Sequence, residues 1–386
     1  MTSMWYEKIL LVFRNKELRN KFLFISFLFI VFRIAANIPI PGIGTENLKG
    51  FFEQNQVFGL LNIFSGGALS NFSIVLMGLG PYITSTIILQ LLTMIFPSLE
   101  KLYKEEGEAG RQKFNQYGRL LTIPLAIVEG YGMLTLFQRQ GIITNLSFPM
   151  MISSIVTIAA GAMFLMWLGE LITEKGMGNG ISLLIFAGIV ASLPINIFQT
   201  FVSWDPSKIV SYILFFLSSI LIIAGVVFIT EARRNIPVSY AKRVRGNKMY
   251  GGTSTYLPLN INPAGVIPII FALSILLFPG MIAGFLGGVE GVVGTTANAV
   301  AAFFNNPWVN GVLYFFLVIL FTYFYTAVTF DPKTISENLQ KMGGFVPGVR
   351  PGTSTAEFLK HILNRVLFTG AMFLGLIAVL PNIVAG

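Results

Sequence analysis

The chain has 386 residues, of which 54% are hydrophobic and 11% are charged, and its formal net charge is +9. Soluble domains carry about 25% charged residues, so this composition excludes an ordinary soluble protein and predicts several membrane crossings. The chain contains no cysteine and a single histidine, His361. This excludes disulfides and thiolate metal sites and argues against histidine-based catalysis.

Apolar stretches long enough to cross a bilayer recur along the whole chain, each close to the length of about 20 helical residues that a crossing needs. In chain order, the nine stretches lie at residues 22–40, 72–97, 118–137, 148–169, 180–202, 209–230, 263–286, 308–330 and 363–384. The sequence therefore predicts an all-α polytopic membrane protein with nine spans.

The lysines and arginines indicate how the chain is oriented. If the N-terminus is cytoplasmic, the cytoplasmic side holds nearly all of them; only Lys49, Arg139 and Lys208 fall outside, and Arg33 lies within the first span. Cytoplasmic loops of membrane proteins carry such an excess of Lys and Arg. The net positive charge then needs no nucleic-acid substrate to explain it.

A short apolar element precedes the second span. Residues 60–71 are too few to cross a bilayer and are interrupted by Ser65, Gly66 and Gly67, whereas residues 72–96 are long enough and carry Gly80 and Pro81 near their start. A plain helical bundle does not need such a half-length element, so we expect it to belong to a part that opens and closes.

Helix breakers and isoleucines mark the spans that could surround such a part. Proline permits a helix to bend, and Pro268 and Pro279 lie in the seventh span. Isoleucines four residues apart share one helix face, and a ring of them would close a pore by excluding water. Such spacing is also ordinary in packed or lipid-facing spans. The isoleucines concerned are Ile83, Ile87, Ile185, Ile189 and Ile270.

No catalytic motif accompanies these features. The sequence contains no GxSxG, HExxH or Walker lysine motif, and the glycine-rich stretch 176–180 follows no predicted strand, so a turn at a helix start is its better interpretation. We therefore expect no enzymatic activity, no metal site and no cofactor.

Arg33 and Glu129 are ionisable residues within predicted spans. We interpret each ionised group either as having a structural partner within the protein or as extending its charged end to the membrane surface. The alternative function, secondary transport of a small solute, would require a compact polar site near the middle of the membrane, which these two residues hardly supply.

Two cytoplasmic loops, 231–260 and 331–362, are much longer than helix–helix connections require. Both are basic and contain glycine and proline turns. They are either solvated loops of the positive-inside type or a docking surface for a cytosolic partner with acidic faces or exposed RNA phosphate.

Seven sequence blocks resemble one known family in the same order. They are FSGGALSNFSI (64–74), GPYITSTIILQLL (80–92), KEEGEAGRQKFNQYGR (104–119), GMGNGISLLIFAGIV (176–190), YAKRVRG (240–246), STYLPLNINPAGVIPIIFA (254–272) and GGFVPGVRPG (343–352). Over essentially its whole length the chain resembles the SecY/Sec61-alpha family of protein-conducting channels.

The resemblance implies two pseudo-symmetric helical halves around a central hourglass pore. Residues 1–202, with spans one to five and a plug at about 60–71, would form the N-terminal half, and residues 203–386, with spans six to nine, the C-terminal half. The family pattern has a tenth span, which we expect to be absent from this sequence.

The resemblance also assigns roles to individual residues. The plug would include Leu60, Asn62, Phe64, Ser65, Gly66, Gly67 and Leu69. The pore ring would include the five isoleucines named above. The lateral gate, between spans two and seven, would include Gln90, Thr93, Asn262 and Ser274. Partner docking would use Arg243, Arg245, Lys248 and Arg350.

By the same resemblance, the protein would be the central channel subunit of the Sec translocon in the bacterial plasma membrane. It would pass unfolded preproteins across the membrane and release membrane segments sideways into lipid. The implied partners are the SecE and SecG subunits, the SecA motor ATPase, the ribosome, signal sequences, nascent polypeptides and membrane lipid.

Overall fold

The computed structural model describes residues 14–41, 62, 65–139, 141–143, 146–176, 178–240, 243–245, 248–250, 254–286 and 291–385. The chain divides into two compact units. One comprises Met1–Trp204 with Leu277–Ala301, and the other comprises Asp205–Leu276 with Ala302–Gly386.

The first unit is built mainly from six helices. They are α1 (Lys16–Ala35), α2 (Gly80–Ile95), α3 (Pro97–Lys104), α4 (Gly107–Arg139), α5 (Phe148–Glu174) and α6 (Gly180–Val202). Helix α4 packs against α2, α3 and α5, and α5 packs in turn against α6. Prolines at the first turns of α2, α3 and α5 fix these helix starts, where a missing N–H costs nothing.

The turn before α6 shows how local sequence sets the arrangement of two spans. Asn179 caps α6 by accepting a 3.1 Å hydrogen bond from the Ser182 amide, and the Gly180 amide donates to the Thr173 hydroxyl at 2.9 Å. A Cβ at Gly180 would lie 1.9 Å from the Gly169 carbonyl oxygen, so the close approach of α5 and α6 requires glycine. The glycine-rich stretch is thus a helix start, as predicted.

The remaining helices follow in chain order, with a single 3₁₀ turn at Pro206–Lys208 before the first of them. They are α7 (Ile209–Glu231), α8 (Ile267–Leu286), α9 (Val292–Asn305), α10 (Pro307–Thr329), α11 (Pro332–Lys341) and α12 (Thr353–Ala385). In the second unit, α12 packs along α10 and against α11.

A small antiparallel sheet joins the two long basic loops within the second unit. Its strands are β1 (Arg233–Tyr240), β4 (Ser254–Asn260) and β5 (Gly344–Phe345), in the order β4-β1-β5, and β2 (Arg243–Arg245) pairs with β3 (Lys248–Tyr250) in a separate hairpin. Alternate residues Ile236 and Val238 of β1 are buried. Ile236 packs with Leu259, Val346 and Leu359.

Six helices of the described chain are long and apolar enough to cross a membrane: α4, α5, α6, α7, α10 and α12. Helices α2 and α3 together would make a seventh, although they meet at 112°. The helical membrane fold is confirmed. The predicted first and seventh spans coincide with α1 and α8 and stay predictions as membrane crossings.

Candidate functional site

Residues 65–79 form a series of turns, here called the turn segment, instead of the start of the second span. The prediction of a helix from Phe72 is wrong by eight residues, because α2 begins only at Gly80. Phe72 (φ 46°) and Gly78 (φ 55°) have left-handed backbone conformations that interrupt a right-handed helix. Predicted plug residues Leu60 and Phe64 lie outside the described residues.

The end of α1 and the middle of the turn segment are joined by backbone hydrogen bonds. The Ile40 amide donates to the Phe72 carbonyl at 2.9 Å, and the Ile74 amide donates to the Ile38 carbonyl at 2.9 Å. Between these bonds, Pro39 and Ser73 form an isolated antiparallel bridge. The segment is therefore anchored to the residues that follow α1.

Asn62 and Ser65 organise the first part of the turn segment. The Asn62 backbone carbonyl accepts from the Gly67 amide at 2.8 Å and from the Ser65 hydroxyl at 3.0 Å, while its side-chain oxygen accepts from the Ser70 amide at 2.9 Å. The Leu69 amide donates to the Ser65 hydroxyl at 3.3 Å. These bonds satisfy backbone groups that helix formation would otherwise satisfy.

The turn segment packs into two separate hydrophobic clusters of the first unit. Leu69, Phe72 and Leu76 lie in one cluster with residues of α4 and α5, and the Phe72 ring lies 5.5 Å from the Phe137 ring. Ala68, Val75 and Leu79 lie in the other cluster, with residues of α1, α5 and α6. The segment thus fills space among four helices.

Arg33 reaches the turn segment from α1. Its guanidinium donates a hydrogen bond to the Gly66 carbonyl, so the group that pairs with Arg33 is a backbone carbonyl. On the other side of Gly66, a Cβ would lie 3.0 Å from the Gly188 Cα of α6 and 3.2 Å from the Phe32 ring. Sequence reasoning identified neither the Gly66 carbonyl nor Gly188 as a partner.

The predicted pore isoleucines divide between the units. Ile83 of α2 and Ile185 of α6 pack against the same cluster as Ala68 of the turn segment. Ile87 is buried and Ile189 half-buried, so four of the five isoleucines belong to the first unit. Ile270, which is half-buried, lies on α8 in the second unit.

The predicted gate residues divide in the same way. On α2, the Thr93 hydroxyl donates to the Gln90 carbonyl at 2.7 Å, and the Gln90 side-chain oxygen is buried without a hydrogen-bond partner among the described residues. In the second unit, the Asn262 amide donates to the Gly265 carbonyl at 3.2 Å, and the Ser274 hydroxyl donates to the Ile270 carbonyl at 2.9 Å.

Glu129 of α4 is buried next to the start of α2. The Thr84 hydroxyl donates to its carboxylate, and a Cβ at Gly80 would lie 3.8 Å from its Oε2. Its Oε1 has no hydrogen-bond partner among the described residues. Glu129 therefore pairs with α2, and Arg33 pairs with the turn segment. Among the described residues, no group of three His, Cys, Asp or Glu could hold a metal ion.

The predicted docking residues lie on the β2–β3 hairpin and on the loop that follows β5. Arg350 is exposed, and its carbonyl accepts a 2.8 Å hydrogen bond from the Thr355 hydroxyl of α12. The Ser336 hydroxyl of α11 donates to the Gly352 carbonyl at 2.6 Å. Arg243 and Arg245 lie on β2 and Lys248 lies on β3. In sequence, this hairpin lies between β1 and β4 of the three-stranded sheet, and Arg350 follows β5 of the same sheet.

A family model described as SecY matches residues 73–386. The chain belongs to the SecY family. The protein translocase subunit SecY of Corynebacterium glutamicum is 43% identical, with 97% of this chain and 88% of the relative covered. The subunit of the same name from Pseudomonas aeruginosa is 45% identical, with 94% and 82% covered.

Solved structures of SecY and Sec61 channels share the fold. The structure of a protein conducting channel has a TM-score of 0.62 at 18% identity and covers 93% of this chain and 84% of its own. Sec61 in the canine ribosome–channel complex from the endoplasmic reticulum has a TM-score of 0.56 at 17% identity, with 94% and 89% covered. The SecY family and its helical channel fold, both expected from the sequence, are confirmed.

Proposed function

We propose that this SecY-family chain is the central channel subunit of the Sec translocon. It passes unfolded preproteins across the bacterial plasma membrane, with its N-terminus cytoplasmic, and releases membrane segments sideways into lipid. Relatives that share more than 40% of its residues over most of their length are named protein translocase subunits.

The turn segment is the observation that carries this proposal. Non-helical backbone within a helical membrane protein is tolerated only where protein surrounds it or where it lines a cavity. Here, fifteen residues of turns pack among α1, α4, α5 and α6 and make contact with the cluster that includes Ile83 and Ile185. A displaceable plug beside an apolar constriction accounts for such an arrangement, and an uninterrupted bundle does not.

The remaining roles follow from this assignment. The plug is the predicted stretch of about residues 60–71, whose described part consists of Asn62 and residues 65–71 of the turn segment. Ile83, Ile87, Ile185, Ile189 and Ile270 form the pore ring that excludes water and ions when the channel is closed. The lateral gate lies between α2 and α8 and includes Gln90, Thr93, Asn262 and Ser274.

The β-sheet and the β2–β3 hairpin form the docking surface for cytosolic partners. Arg350, exposed beside β5, and Arg243, Arg245 and Lys248 on the hairpin supply positive charge for the ribosome and the SecA motor ATPase. SecE and SecG are the expected membrane partners. The ribosome and the SecA motor ATPase drive the transport, so the channel chain itself has no catalytic role.

Polar substitution of the pore ring tests this function. Replacing Ile87 and Ile185 by Asn in the channel complex should raise its resting ion conductance in planar bilayers, because a polar ring no longer excludes water. Ile197→Asn is the matched control, since Ile197 lies on α6 but is 55% exposed. A resting conductance that stays at the unsubstituted level in the double variant would contradict the pore assignment.

The alternative function, secondary transport of a small solute, makes a different prediction. It requires one compact polar site, whereas Arg33 and Glu129 hydrogen-bond to different elements. Solute uptake into vesicles that contain the channel but no translocation partner would support the transporter and count against the channel.

A further inference from the structure

We infer that Arg33 and Gly188 hold the plug in its closed position, Arg33 by hydrogen bonding and Gly188 by close packing. This inference rests on the proposed channel function and adds two positioning residues that lie outside the plug. It follows from the contacts of Gly66, which has Arg33 as its hydrogen-bond donor and Gly188 as its nearest neighbour for packing.

Among the described residues, the Arg33 guanidinium makes no hydrogen bond or ion pair other than the bond to Gly66. A half-buried cation within a span is costly unless it has a partner. Arg33 therefore favours the position of the turn segment that supplies that carbonyl, and displacement of the segment leaves the guanidinium without it.

Gly66 and Gly188 can pack closely against each other because neither residue has a side chain. A Cβ at Gly66 would approach the Gly188 Cα at 3.0 Å and the Phe32 ring at 3.2 Å, closer than ordinary van der Waals contact. Gly188 is buried and lies one residue before Ile189 on α6. This contact of the plug with α6 is thus made next to Ile189, one of the proposed pore-ring isoleucines.

Asn71, at the C-terminal end of the plug, is hydrogen-bonded to residues that follow α1. The Asn71 amide donates to the Asn37 side-chain oxygen at 3.1 Å and to the Ala36 carbonyl at 3.4 Å, while the Asn37 amide donates to the Arg33 carbonyl at 2.7 Å. The Arg33 guanidinium therefore contacts the plug directly at Gly66, whereas the Arg33 backbone carbonyl is linked to Asn71 only through the Asn37 side chain. Rotation of the plug away from α1 would break both sets of bonds.

Two pairs of variants distinguish the loss of these contacts from the loss of a positive charge and from backbone strain. Arg33→Gln removes the guanidinium, and Arg19→Gln removes the same charge from an exposed position at the beginning of α1. Gly66→Ala places a Cβ against Gly188, whereas Gly67→Ala places one 3.9 Å from its nearest neighbours. Both glycines have positive φ, 69° and 83°, so backbone strain is matched in this second pair.

The experiment measures the position of the plug directly. The chain has no cysteine, so Ala68→Cys provides a single thiol at a position that is 0% exposed in the closed structure. The reaction rate of this thiol with a soluble maleimide is measured in the purified channel complex, beside its resting ion conductance. We expect Arg33→Gln and Gly66→Ala each to raise the rate at least threefold, with Arg19→Gln and Gly67→Ala close to the parent.

The two readouts distinguish the possible failures. Unchanged thiol reactivity in both Arg33→Gln and Gly66→Ala would overturn the inference while leaving the channel function intact. A parallel rise in Arg33→Gln and Arg19→Gln, or in both glycine variants, would also overturn it, because charge loss or strain would then explain the effect. If Arg33→Gln and Gly66→Ala raise the thiol reactivity, but deletion of the whole plug from the complex produces no resting conductance, the result would contradict the channel function instead.

Discussion

The buried Ser85 hydroxyl on α2 donates a 2.6 Å hydrogen bond to the Gly118 carbonyl on α4. The same carbonyl also accepts a 2.7 Å hydrogen bond from the Thr122 hydroxyl within α4. The Ser85 bond joins α2, the helix that follows the turn segment, to α4, and the Thr122 bond lies within α4. The link lies close to Leu89, whose side chain approaches Gly118.

Ser85→Ala should lower the free energy of unfolding by about 0.6 kcal/mol, the usual contribution of such a bond between membrane helices. The loss stays small because Thr122 still satisfies the Gly118 carbonyl. Unfolding in mixed micelles with increasing denaturant measures it. Thr86→Ala is the control, since that hydroxyl donates only to the Ile83 carbonyl of its own helix. Equal losses in the two variants would contradict a specific role for the Ser85 bond.

Gly161→Ala should destabilise the first unit strongly. A Cβ at Gly161 of α5 would lie 1.9 Å from the Ile74 carbonyl oxygen and 3.2 Å from the Val75 Cα, so the turn segment must move. Overpacking of this kind typically costs about 1–3 kcal/mol. The thermal midpoint of the purified complex should therefore fall.

Gly132→Ala on α4 is the control for that change, because a Cβ there has nothing within 4 Å. It should leave the midpoint unchanged or raise it, since alanine favours helix over glycine by up to about 1 kcal/mol. A midpoint for Gly161→Ala equal to that of Gly132→Ala would refute the close packing of α5 on the turn segment.

Arg243→Glu with Arg350→Glu should weaken binding of the ribosome or the motor ATPase by at least tenfold at low salt. The difference from the parent should shrink as salt rises, because exposed charges are screened. Affinity is measured by fluorescence with the reconstituted complex. Lys208→Glu makes the same reversal in a loop that the charge pattern places outside, and it should have no effect. Unchanged affinity in the variant that combines Arg243→Glu and Arg350→Glu would refute the docking role.

Ser336→Ala should also weaken docking, although it changes no charge. Loss of the 2.6 Å hydrogen bond to the Gly352 carbonyl loosens the loop that carries Arg350. We expect a two- to fivefold loss of affinity at low salt, which shrinks at high salt because it acts through the charge of Arg350. Thr329→Ala removes a hydroxyl that donates only within α10 and serves as the control. Unchanged affinity at low salt would show that the loop is not held in this way.

Composition and the spacing of apolar runs predicted the helical membrane fold well, because a bilayer imposes a minimum length on each span. Turns were predicted less well. Phe72 lies in an apolar run that suits a helix, yet its carbonyl accepts from the Ile40 amide and its φ is positive. No local signal specifies that distant hydrogen bond, so the helix start was placed eight residues too early.

The strands were missed for a related reason. Ser239 pairs with both Ser254 and Phe345, which are far apart in sequence, and such pairing depends on the tertiary fold more than on local preference. Glycine in the sequence indicated the plug, but the contact between Gly66 and Gly188 depends on how α6 lies beside the turn segment. The roles of the gate and docking residues came from the family resemblance and stay predictions.

Because the turn segment is not helical, the channel can open without breaking the backbone hydrogen bonds of its membrane helices. Departure of the segment would break a few individual hydrogen bonds to α1 and leave the hydrogen-bond ladder of α2 intact from Gly80 onwards. Substitutions that remove only these hydrogen bonds can therefore alter how readily a channel opens, whereas changes at the buried residues Leu69, Phe72 or Leu76 would also affect the packing of the helices. Selection could adjust the tightness of the seal independently of the fold.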